Sequence, residues 1–144
     1  MNLKQISVFV ENRSGRLCQI TQVLADSQVD IRALSIADTT DFGILRIIVN
    51  KPNTAYEALK AAGCTVSITE VVAVVVKDHP GAFSAALTAL AQGGVSVEYM
   101  YAFTTSPESG TASIILRVDD NEKALKVLEN VTVKVLSSEE ICEE

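Results

Sequence analysis

The chain has 144 residues, 48% hydrophobic and 21% charged, with 12 basic residues against 18 acidic and a net charge of −6. That is apolar sequence enough for one ordinary domain or two small ones, and the acidic balance argues against a nucleic-acid partner, whose binding is driven by Lys and Arg. The apolar run Val71–Val76 is too short to cross a bilayer. Cys18, Cys64 and Cys142 form neither a CxxC pair nor a zinc spacing. A reduced, cytoplasmic protein without metal or cofactor is expected, with Cys18 and Cys64 in or near the core.

A first strand, ending near "SVFVEN", runs into a turn, "NRSG", and then into a helix whose face is marked by Leu17, Ile20, Val23 and Leu24. Two strand-like segments follow, near Asp30–Ala37 and Gly43–Val49, joined by "DTTDF" as a hairpin connector. The segment "NTAYEALKAAG" reads as a second helix with Asn53 as its N-cap. A fourth strand near Thr65–Thr69 leads with no linker into the apolar run "VVAVVV".

The pattern then repeats. Gly81 follows Gly15 by 66 positions, Asp78 follows Asn12 by 66, and "VSV" (Val95–Val97) follows "VDI" (Val29–Ile31) by 66. Phe83, Ala86, Ala89 and Leu90 mark the repeated helix, which Gly93 and Gly94 stop. Strands near Val95–Thr104 and Thr111–Val118 flank "TSPESG". A helix "DNEKALKVLEN", capped by Asp119 or Asp120, and a strand near Val131–Leu136 complete the second copy. The order is βαββαβ twice, over residues 1–70 and 71–144. This predicts an α+β fold of two ferredoxin-like units, each an antiparallel four-stranded sheet with two helices on one face. Strands such as "VVAVVV" and "ILRIIV" lack polar alternation, so burial of the second sheet face is also expected, by the other repeat or by another chain. The final stretch, "SSEEICEE", reads as a solvated, frayed tail.

The turns carry the functional argument. A helix N-terminus has unpaired N–H groups and partial positive charge, which suit a carboxylate or phosphate. Asn12 and Asp78 are placed to hold an ammonium or amide. The plainer account is that the glycines meet a backbone requirement and that Asn12 and Asp78 cap their helices. His79, the single histidine, is either a solvent-facing turn residue or a ligand contact. It has no companions for a metal site and no nucleophile-plus-base arrangement around it, so no catalytic residue is predicted and the chain is not read as an enzyme.

"VENRSGRLCQITQVLADSQVDIRAL" resembles the start of an ACT domain, a small amino-acid-sensing regulatory module, and is especially similar to the module that ends bacterial phosphoglycerate dehydrogenases. "VKDHPGAFSAALTALAQGGVSVEYM" carries the commoner family form, Asp-x-Pro-Gly, then a helix, then Gly-Val-x-Val. The resemblance spans nearly the whole chain. It implies an amino acid bound between two modules, its carboxylate on backbone amides of the turn. Carried over, the ligand residues are Asn12, Arg13, Ser14, Gly15, Arg16 and Leu17 with Asp30, and in the second copy Asp78, His79, Pro80, Gly81, Ala82 and Phe83 with Ser96. Ser14 stands where the family writes proline, and Asp30 where it writes asparagine, so a ligand ammonium or basic side chain is favoured there. The resemblance further implies a homodimer or other homo-oligomer and a regulated enzyme partner. The alternative is an ACT-like oligomerisation module without a ligand.

Overall fold

The computed structural model describes residues 3–38, 41–103 and 110–144. The chain divides into two compact units. One comprises Lys4–Thr69 together with Ile141–Glu144, and the other Leu3 and Glu70–Glu140. Thr39 and Thr40 of "DTTDF" and residues 105–109 of "TSPESG" fall outside the described residues.

The N-terminal unit contains β1 (Leu3–Glu11), α1 (Arg16–Asp26), β2 (Ile31–Asp38), β3 (Phe42–Val49), α2 (Pro52–Ala61) and the start of β4 (Val66–Lys77). Its strands lie in the order β4-β1-β3-β2, with β1 and β2 both antiparallel to β3. Alternate residues of β1 (Ile6, Val8, Val10) and β3 (Leu45, Ile47, Val49) face the helices and form one core with Ile20, Leu24, Ala55 and Leu59. These are the period-2 and period-3.6 positions of the sequence, so pattern and packing agree.

The C-terminal unit takes the remainder of β4, then α3 (Ala82–Gln92), β5 (Val97–Ala102), β6 (Thr111–Val118), α4 (Asn121–Leu128), β7 (Lys134–Leu136) and the short α5 (Ser138–Ile141). Here β6 lies between β4 and β5, and β7 pairs with the other side of β4. Val72, Val74, Val76, Ala86, Leu90, Leu116, Val118, Ala124 and Leu128 form its core. Each unit is therefore a ferredoxin-like sandwich, and the fold is α+β. β4 serves both units as one uninterrupted strand. Ile48 in the N-terminal unit and Val71, Ala73 and Ile115 in the C-terminal unit, outside the two helix-facing cores, are buried as well.

Four local features differ from expectation. Helix α2 starts at Pro52 with Lys51 at the cap position, so Asn53 lies inside the helix and caps nothing. Proline suits the first turn because that turn's N–H groups lack helical partners anyway. β7 begins only at Lys134, because Val133 N–H turns back to the Val131 carbonyl (2.8 Å). Cys18 is exposed on α1, while Cys64 is buried. The last residues are docked, as described below. In α4, by contrast, Asp120 caps as expected, accepting from Lys123 N–H at 3.1 Å. Asp120→Ala is expected to cost about 0.5–2 kcal/mol, to be read from chemical denaturation.

Candidate functional site

The β1–α1 turn is built by its glycine. Gly15 takes φ +87°, a left-handed conformation that other residues adopt at a cost. A Cβ there would meet nothing within 4 Å, so the requirement is conformational rather than steric. Gly81 repeats it at φ +88° with the same open surroundings. These glycines are themselves the cap residues, and neither helix has a side-chain cap. The capping account of Asn12 and Asp78 therefore fails. Among the described residues, the N–H groups of Ser14, Gly15, Leu17 and Cys18 have no backbone partner.

Of these, Ser14, Gly15 and Leu17 border an open cavity of about 270 Å³, whose lining also includes Val10, Glu11, Asn12, Arg13, Ile36 and Gly43. Its walls are the end of β1, the first turn of α1 and the β2–β3 hairpin. Gly43 permits close approach at the hairpin, since a Cβ there would sit 3.1 Å from the Ala37 carbonyl oxygen. Arg13 and Glu11 pair across the rim at 3.4 Å, both well exposed, so the rim carries both charge signs. Leu17 and Ile36 provide apolar wall.

Of the first-copy residues, Asn12, Arg13, Ser14, Gly15 and Leu17 meet at this cavity. Arg16 does not line it. Its guanidinium turns along α1 to Gln19, donating to Oε1 at 3.1 Å. Asp30 is elsewhere too, immediately before Ile31, which opposes Val49 at the far end of β2, whereas Ile36 opposes Leu45 near the turn. Asp30 is held firmly where it is. Its N–H donates to Asn50 Oδ1 at 2.7 Å, its carbonyl accepts from Asn50 N–H at 3.1 Å, and its carboxylate pairs with Arg32 at 2.8 Å.

The second copy keeps the same framework. Ser96 N–H donates to Asp119 Oδ1 at 3.0 Å and its carbonyl accepts from Asp119 N–H at 3.1 Å. Asp119 is thus the counterpart of Asn50, a role that no local pattern announces. His79 is exposed, with Nδ1 3.1 Å from the Pro80 carbonyl oxygen. A cavity of about 260 Å³ lies on the other side of this turn, between α3 and residues 131–133, touching His79, Ala82, Ala85 and Ala86. Arg16, Gln19 and Ile20 occupy the matching positions in α1 and border a cavity of about 230 Å³ there, so the flank is open in both modules and differs in the side chains that line it. No cluster of metal-ligating side chains exists among the described residues, and none of their helices is long and apolar enough to cross a membrane.

A family model described as an ACT domain pair matches residues 1–143. The chain belongs to this family. A solved protein from Bacteroides thetaiotaomicron is 41% identical to this ACT domain pair, with a TM-score of 0.90 over 96% of this chain and 94% of that one. The regulatory subunits of aspartate kinase from Thermus thermophilus, solved in a ligand-free form, and from Thermus flavus share the fold. They are 18% and 17% identical, with TM-scores of 0.66 and 0.63, and each comparison covers 90% of this chain and 92% of theirs. No curated protein matches the ACT domain pair described here.

Proposed function

We propose that the chain is an amino-acid sensor that regulates a partner enzyme or its own assembly, with the β1–α1 turn of the N-terminal unit as its first binding site. The observation that carries this reading is the open cavity against a helix N-terminus where the N–H groups of Ser14, Gly15 and Leu17 have no backbone partner among the described residues. A ligand carboxylate satisfies those donors, and the helix dipole favours it. Asn12 offers an amide to the ligand's polar groups, and Leu17 and Ile36 receive its side chain.

Asp30 enters through a second copy. β2 is the outer strand of its unit, and Leu34 and Ile36 on it are 49% and 46% exposed. Antiparallel pairing of two β2 edges about a two-fold axis brings the Asp30 end of one copy toward the turn of the other. A carboxylate there accepts from a ligand ammonium. Ligand bridging two copies then favours the paired arrangement, which is the regulatory linkage. The three free thiols suit a reducing cytoplasm. The second reading, a ligand-free dimerisation module, draws on the same exposed apolar edge.

A thermal-shift screen against the common amino acids separates the two. Ligand at 100 times its Kd stabilises by about 2.7 kcal/mol, which is several degrees for a chain of this size. A shift with one or two amino acids is expected. No shift with any of them, from a folded sample, would leave the ligand-free module standing.

A further inference from the structure

The two modules differ at the start of their second helix. In α4, Asp120 supplies the N-cap carboxylate to Lys123 N–H. The matching residues of α2 are Lys51 and Thr54, 69 positions earlier. Lysine cannot accept a hydrogen bond, and α2 has no cap from its own cap residue. Its first turn is nevertheless satisfied. Glu144 accepts from Thr54 N–H at 2.9 Å through Oε1, and from Thr54 Oγ1 at 2.8 Å through Oε2.

The neighbouring residues of the same segment dock beside it. Glu143 N–H donates to the Asn50 carbonyl at 2.6 Å. The Glu143 carboxylate lies 3.7 Å from Arg32, and Cys142 Sγ lies 3.8 Å from the Val49 carbonyl oxygen. Lys51 adds attraction to Glu144, whose carboxyl is held below its usual range first by the Thr54 backbone hydrogen bond.

We propose that the N-terminal unit carries a docking surface for an acidic segment, formed by Asn50, Thr54 and Arg32, and that residues 142–144 occupy it as a strap whose Glu144 replaces the N-cap lost at position 51. The strap is a conformational device. While it is docked, α2 is capped and Arg32 is shared between Asp30 and Glu143. Once it is released, α2 loses its cap and Arg32 loses its contact with Glu143.

The test uses the full chain and two readouts, amide hydrogen exchange in the first turn of α2 and alkylation of Cys142. Burial raises the Cys142 pKa, so its labelling is slow while the strap is docked. Glu144→Ala is expected to speed exchange at residues 54 and 55 by roughly fivefold or more and to speed Cys142 labelling with it. Lys51→Asp, added to Glu144→Ala, restores the local cap. The Lys51 backbone lies within about 25° of that of Asp120 in both angles (φ −130°, ψ 76° against φ −145°, ψ 99°). Exchange should then return toward that of the natural chain while Cys142 stays reactive. Unchanged Cys142 labelling in Glu144→Ala would show that Glu144 does not hold the strap. Failure of Lys51→Asp to slow exchange would show that the carboxylate is not acting as a cap. Either result overturns the proposal.

Discussion

Valine at position 15 is expected to abolish the thermal response to amino acids while leaving a folded protein. The Gly15 backbone at φ +87° is poorly accessible to a β-branched residue, and holding one there costs about 1–3 kcal/mol. The open space around the Cβ position rules out a clash, so the turn relieves the strain by changing its own path. That change re-aims the N–H groups of Ser14, Gly15 and Leu17, the donors proposed above to take the ligand carboxylate. Gly81→Val is the matched control. Its φ is +88° with equally open surroundings, so the loss of melting temperature should be similar. If the first turn is the binding turn, only Gly15→Val loses the ligand response. A Gly15→Val protein that responds fully would move the site elsewhere.

Leu24→Ala is expected to destabilise the N-terminal unit by about 2–5 kcal/mol, the usual cost of a buried leucine and the cavity it leaves. Leu24 is 1% exposed and lies in the core between α1 and the sheet. Chemical denaturation measures the effect, and the melting temperature should fall by on the order of 10 °C. The same substitution at Leu34, 49% exposed on β2, should change stability by no more than about 0.5 kcal/mol. It should instead weaken self-association in sedimentation. A large stability loss at Leu34, or a negligible one at Leu24, would contradict the placement of Leu24 in the core and Leu34 on the exposed edge.

Much of this was legible because the sequence repeats itself. Gly15 and Gly81 mark equivalent turns, and the apolar positions of β1, α1, β3 and α3 alternate with the periods of their elements. A repeated pattern with the right periods constrains a fold more than either signal alone. The details that escaped share a physical cause. Capping of α2 by Glu144 joins residues 90 apart, and no local pattern carries such information. Lysine before proline does not look like a helix start, because the acceptor comes from elsewhere. The acidic tail read as solvated because its partners, Thr54, Asn50 and Arg32, lie in the other half of the chain. Arg16 counted as a turn residue by sequence position, but it opens α1, where residues three apart are neighbours, and its guanidinium reaches Gln19. The far-end location of Asp30 follows from strand direction, which becomes visible only once the register of β2 against β3 is known.

The outer strand β2 also has a bearing on handling the protein. Its open row of N–H and C=O groups is flanked by Leu34 and Ile36 and carries no proline, lysine or bulge at its centre to repel a newcomer. An edge of this kind accepts any compatible strand, including those of unfolded chains. Substitutions that destabilise the N-terminal unit should therefore show as turbidity on concentration or heating, and a charge placed at Leu34 or Ile36 as a gatekeeper should suppress it.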